Sequence, residues 1–176
     1  MILRSLFRSR KRTALADRLY VAAVERARAP ALYQAGGVPD TLDGRFDLVV
    51  MHVHLICRRL RGEGADGQAL AQYLFDTMFD DMDRSLREMG IGDMGVGKRV
   101  KQMGRAYFGR AKAYDDGLAA DDAALKDALK RNLFGTAAPT DAHLAYMASY
   151  VRAVDRHLTD LPAAGLLDGG VSFPPV

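Results

Sequence analysis

Apolar residues recur along this chain every three or four positions and never in sustained alternation, so the pattern predicts helices and no strand. A first helix is expected over residues 13–29, with Leu15, Leu19, Ala22 and Ala23 on one face and a stop before Pro30. An irregular stretch with Gly36-Gly37 and Pro39-Asp40 follows, and Thr41 or Asp43 can cap the next helix. That second helix, residues 43–61, carries Phe46, Val49, Val50, Val53, Ile56, Cys57 and Leu60. It is apolar around most of its girth, which places it centrally. The third, residues 68–89, repeats Leu70, Leu74, Met78, Met82, Leu86 and Met89, with Asp76, Asp80, Asp81 and Asp83 on its polar side. A glycine-rich connection, Gly90 to Gly97, leads to a basic fourth helix with the stripe Val100, Met103, Tyr107, Ala111 and Tyr114. A fifth helix is expected over 121–134 and a sixth from Thr140 or Asp141 to Leu161, where Pro162 stops it. The prediction is therefore an all-α, single-domain bundle of about six helices over residues 13–161. A basic tail (1–12) precedes it, and a loosely ordered end (162–176) follows.

Composition supports one domain with a real core: 176 residues, 49% hydrophobic and 27% charged. The single cysteine, Cys57, sits in an apolar run and permits no intrachain disulfide, which fits a reducing, non-secreted setting. The longest apolar stretch, Leu48 to Cys57, contains two histidines and is far short of the ~20 residues of a membrane span. The net charge of +3 is concentrated at the start. Arg4, Arg8, Arg10, Lys11 and Arg12 stand there without an acid, among Ile2, Leu3, Leu6 and Phe7, and the remainder has 20 cations against 22 acids. Such a tail suits the surface of an anionic membrane, with Arg4, Phe7, Arg8, Arg10, Lys11 and Arg12 as its contacts; it equally suits a frayed soluble terminus.

Several motifs invite chemistry and fail on context. Gly90-Ile-Gly92-Asp-Met-Gly95 spells the dinucleotide fingerprint, but that fingerprint needs a preceding strand, and a helix precedes it here. Gly92, Gly97 and Lys98 approach a phosphate loop, yet Arg99 stands where a metal-binding hydroxyl is required. Asp76, Asp80 and Asp83 share one helix face without the Glu-x-x-His pairs of a bundle metal site. His52 and His54, two apart on a helix, point in different directions. No nucleophile, base and acid assemble, so neither an enzyme nor a cofactor or metal protein is expected, and no small-molecule substrate. The fourth helix carries Lys98, Arg99, Lys101, Arg105, Arg110 and Lys112, a pattern that suits a solvated or protein-docking face. The alternative is an RNA- or ribosome-binding module using residues 98–112.

Several runs are specific in combination and order. They are Ala27-Arg-Ala-Pro-Ala-Leu-Tyr33, Gly37-Val-Pro-Asp-Thr41, Gly44-Arg-Phe-Asp47, Leu74-Phe-Asp-Thr-Met-Phe-Asp-Asp-Met-Asp83, Leu86-Arg-Glu-Met-Gly-Ile-Gly-Asp93, and Phe108-Gly-Arg110 with Tyr114. Over residues 13–135 the chain resembles the ubiquinol–cytochrome c chaperone family, as a bacterial member. The resemblance implies a non-enzymatic, cofactor-free helical assembly factor. Its client would be newly made cytochrome b, met at the cytoplasmic face of the inner membrane, with a small partner subunit or the ribosomal exit region as further contacts. It carries Tyr33, Asp40, Arg45 and Phe46 in one block, and Asp76, Phe79, Asp83, Arg87, Glu88 and Asp93 in another, as client- or partner-binding positions. Asp80 joins them from the same helix face. Of the eight methionines, Met78, Met82, Met89, Met94 and Met103 offer adaptable apolar surface where they are not core.

Overall fold

A computed structural model describes the backbone of residues 2–135 and 137–176, and the side chains of all of these except 2–9 and Met94. Eight helices follow one another with no strand among the described residues: α1 (Ile2–Ala27), α2 (Pro30–Gln34), α3 (Leu42–Arg61), α4 (Gly64–Glu88), α5 (Asp93–Ala119), α6 (Asp122–Leu133), α7 (Asp141–Asp160) and α8 (Ala163–Leu167).

The helix that is apolar on all sides is the one that every long helix surrounds. Leu48, Val50, Met51, Val53, Leu55, Ile56, Cys57 and Leu60 of α3 are all buried, and α1, α4, α5, α6 and α7 pack around them. Thr41, rather than Asp43, caps α3 by accepting from the Gly44 amide at 3.1 Å. Arg58, Arg59 and Arg61 occupy its last turn, where the helix dipole favours cations. Glycine is required at Gly67, because a Cβ there would lie 2.1 Å from the Leu60 carbonyl oxygen. That close approach folds α4 directly back on α3.

The structure differs from the pattern at four places. The first helix begins at Ile2, so residues 2–12 are not a separate tail: Arg, Lys and Leu favour helix, and no Gly or Pro interrupts them. It ends at Ala27, and Pro30 opens an additional short turn, α2, fixed when the Tyr33 hydroxyl donates to the Ala27 carbonyl at 2.7 Å. The glycine connection is only Met89–Gly92. Gly90 takes φ +80°, and the Ile91 amide reaches the Leu86 carbonyl at 3.2 Å, closing α4, so Gly95 and Gly97 lie within α5. The C-terminal segment is packed rather than loose. Leu166 is buried, Leu167, Val171 and Phe173 lie against the core, and the Phe173 ring meets His52 edge-on with centroids 5.4 Å apart. Among the described residues no helix is long and apolar enough to cross a membrane.

Candidate functional site

Around α3 the neighbouring helices do not close evenly. At its N-terminal end, α1, α3, α4 and α5 leave an open groove of about 750 Å3. Its floor is apolar: Val24 from α1, Phe46 and Val49 from α3, Met82 and Leu86 from α4, and Met103 from α5. Two large apolar side chains stand at its edge with much of their surface in water, Leu42 (63% exposed) and Met89 (49% exposed). Three methionines thus come to one groove, Met82 from α4, Met103 from α5 and Met89 from the connection between them. Their unbranched thioethers fit irregular apolar partners at little cost, unlike branched side chains that offer one shape.

Charged groups sit at defined points on this floor. Asp47, 5% exposed, lies 2.9 Å from the Arg110 guanidinium, but no guanidinium N–H is aimed at that oxygen. Burial therefore outweighs the pull of Arg110 and pushes the Asp47 carboxyl up to about 6, with Asp43 adding to the rise. The Tyr20 hydroxyl donates to Asp81 at 2.8 Å, and its phenol is held well above the ordinary range by burial and by Asp81. Arg45 binds Asp40 at 2.6 Å, which holds that carboxyl below its usual value. Arg28, just after α1, and Arg99 on α5 also line the groove, exposed and in no ion pair among the described residues.

The histidines that could act as bases are elsewhere and occupied. His52 lies between the Leu48 carbonyl (2.7 Å) and the Tyr150 hydroxyl (2.7 Å), and His54 meets Asp115 at 3.0 Å, so the two do point apart. Cys57 is fully buried, and burial pushes its thiol up to about 12, which leaves no thiolate for attack. No cluster of metal-ligating side chains is present among the described residues. The dinucleotide-like glycines form the α4–α5 connection, with no strand leading into it.

Of the positions expected to bind a client or partner, the structure brings Tyr33, Arg45 and Phe46 to the groove, with Asp40 held beside it by Arg45. The acidic-helix set goes elsewhere. Asp76, Asp80, Asp83 and Arg87 lie on the outer side of α4, away from the face that gives Met82 and Leu86 to the groove, and Arg87 bridges Asp83 and Asp93. Glu88 is exposed at the end of the same helix. Phe79 is half-buried against Phe75 and Tyr107. Arg45 and the acidic row therefore share no surface. Of the groove residues, Val24 and Leu42 carried no sequence signal, whereas Met82, Met89 and Met103 stood out by helical spacing and as adaptable apolar side chains, a pattern that equally fits core. Of the expected membrane contacts, Arg4, Phe7 and Arg8 have side chains outside the described residues. Arg10 is exposed, Lys11 lies 3.8 Å from Asp168, and Arg12 pairs with Asp66 at 2.6 Å. The basic helix divides: Arg99 and Arg110 turn to the groove, while Lys98, Lys101, Arg105 and Lys112 face solvent.

The fold is thus an all-helical bundle with a methionine-lined groove open to solvent. Comparison with known proteins makes the class specific. The sequence profile described as ubiquinol-cytochrome C chaperone matches residues 34–173, and the chain belongs to that family. The ubiquinol-cytochrome-c reductase complex assembly factor 1 of Xenopus laevis is 28% identical over 150 residues, covering 85% of this chain and 75% of the relative. The mitochondrial protein CBP3 of Saccharomyces cerevisiae is 28% identical over 151 residues, covering 84% of this chain and 45% of the relative. The human assembly factor 1 is 27% identical over 160 residues, of which this chain covers 54%, so the chain spans about half the length of the human and yeast proteins. The crystal structure of the Cbp3 homologue from Brucella abortus superposes with a TM-score of 0.85 at 37% identity, covering 99% of this chain and 97% of that one. The all-α fold and the family of ubiquinol–cytochrome c reductase assembly factors are thus shown together.

Proposed function

We propose that this chain is a non-enzymatic chaperone that holds newly made cytochrome b during assembly of ubiquinol–cytochrome c reductase, and that the client docks in the groove between α1, α3, α4 and α5. The observation that carries this reading is the groove itself, with its Met82, Met89 and Met103 lining and the exposed Leu42 at its edge. An unfilled apolar surface of this size on a folded domain signals a partner. A membrane protein newly made has apolar helices to shelter, and a thioether-lined groove accepts them without demanding one sequence. Arg28 and Arg99 at the sides would orient such a segment through its flanking polar groups. The place of action in this proposal is the cytoplasmic face of the inner membrane, reached without a spanning helix in the described residues. Contacts with a small partner subunit or the ribosomal exit region, which the resemblance implies, would use surface outside the groove. The RNA reading has less support, because the cations of α5 split between the groove and a face bordered by the acids of α4.

Site-specific photocrosslinking in the native strain tests the assignment. A crosslinker at Leu42 or Met89 is expected to capture cytochrome b, while one at Asp127, exposed on α6, is not. Capture from Asp127 alone, or from neither groove position, contradicts it.

A further inference from the structure

Away from the groove, α4 and α5 run antiparallel and meet along an outer seam. Phe75 lies against Phe108 with ring centroids 5.7 Å apart, Phe79 lies 4.6 Å from Phe75, and Gly104 of α5 faces Phe79. Phe108 is the only large aromatic side chain among the described residues that stands mostly in water, at 62% exposure. The seam therefore presents a short aromatic ridge.

Charge lies on the two sides of this ridge by sign. On α4, Asp76, Asp80 and Asp83 follow at steps of four and three along the outer face. On α5, Lys98, Lys101, Arg105 and Lys112 follow at matching steps, with Phe108 completing the row. The two rows do not neutralise each other within the chain. Asp83 pairs with Arg87 of its own helix, and Lys112 with Asp116 of its own. Asp80, Lys98, Lys101 and Arg105 are exposed and in no ion pair among the described residues. A surface of one sign would suit a lipid headgroup layer or a phosphate backbone. This surface carries both signs in separate rows, which repels either of those on the α4 side.

Acids on one side of an apolar ridge and bases on the other make a self-complementary face. Rotate a second copy by a half turn about an axis lying along the ridge. The acids of α4 then come to stand over the bases of α5 in the other copy, twice, while the Phe108 rings meet at the centre. Because α4 and α5 are antiparallel neighbours, Asp80 and Asp83 sit at the same height as Lys101, so the rows match in register as well as in sign. We propose that this face is a two-fold interface between two copies of this chain, with Phe108 as its buried anchor. The basic row spans about 21 Å and the acidic row about 10 Å at 1.5 Å per residue. Two helix widths over the longer row give a footprint of roughly 400 Å2 per copy, below the standard size for a stable interface, so the dimer is weak and transient. It leaves the groove open, since Met103, Arg99 and Arg110 lie on a different side of α5.

Sedimentation equilibrium of the full chain from ~1 to ~100 µM tests this. The expected result is a monomer–dimer equilibrium with a micromolar dissociation constant, weakened at least ten-fold by Phe108→Glu and by raised salt. The variant Asp80→Lys with Asp83→Lys, and the variant Lys101→Glu with Arg105→Glu, are each expected to be monomeric alone and to form a one-to-one dimer when mixed. Unchanged circular dichroism spectra establish that these exposed substitutions leave the fold intact. A wild-type chain that stays monomeric throughout overturns the proposal. So does a dimer that Phe108→Glu leaves unchanged, or a mixture of the two charge variants that fails to pair.

Discussion

The Arg110 guanidinium stands 2.9 Å from the buried Asp47 carboxylate at the inner wall of the groove, yet the carboxyl is pushed up to about 6 rather than down. Burial there costs the anion more than a misaligned cation returns. Because the folded value lies above the unfolded one of about 4, Asp47 binds its proton more tightly when folded. Its contribution to stability is full below pH ~4 and is lost as the pH rises through ~6. Urea unfolding of wild type and Asp47→Asn checks this: between those pH values the wild type is expected to lose roughly 2 kcal/mol relative to the variant. A constant difference between the two proteins would refute it.

The second prediction concerns the buried contacts that His52 makes between α3 and α7. The Tyr150 hydroxyl accepts from Arg26 Nε at 2.9 Å and lies 2.7 Å from His52 Nε2, while His52 Nδ1 lies 2.7 Å from the Leu48 carbonyl. A neutral His52 protonated on Nδ1 satisfies all three contacts. Burial, aided by Arg26, pushes this histidine down to about 4. Its contribution is therefore full above about 6.5 and is lost as the pH falls toward 4, opposite in sign to that of Asp47. Nitrogen NMR is expected to show the neutral Nδ1–H tautomer down to pH ~5. Tyr150→Phe leaves two buried groups unpaired and should cost about 1–3 kcal/mol in unfolding free energy.

Glycines of α5 supply a third test. A Cβ at Gly97 or Gly109 meets nothing within 4 Å, and both lie in the exposed part of a helix. Gly97→Ala and Gly109→Ala should each stabilise by about 0.5–1 kcal/mol. At Gly117 a Cβ would lie 2.9 Å from the Leu125 Cα of α6, so Gly117→Ala should destabilise. Thermal melts that rank the three alike would contradict this account of α5.

Helix order, the central place of α3 and most of its buried face were legible in the sequence because a 3.6-residue period carries them directly. The C-terminal segment was misread because Gly169-Gly170 and Pro174-Pro175 punctuate a stretch whose ordering depends on Leu166 and Phe173 finding partners far away in the chain. The start of α5 was misplaced because Gly95 and Gly97 look like a loop, while Asp93 in the first turn favours a helix there. The site was half legible. Tyr33, Arg45 and Phe46 carry a motif, but a groove is made by what four helices fail to cover, and no single segment encodes that. The acidic row stood out as a pattern on one helix; its distance from Arg45 is a property of the packing.

The groove's role in assembly is tested most directly by the haem b spectrum of membranes from a deletion strain complemented with Leu42→Glu and Met89→Glu together. Both side chains are exposed, so the fold should be preserved at a cost of about 0.5 kcal/mol or less per site, which a thermal melt verifies. Wild type is expected to restore the haem b signal and quinol–cytochrome c reductase activity, and the folded double variant to restore neither. Full restoration by the double variant would contradict docking in the groove, and a deletion strain with normal haem b would contradict the chaperone function itself.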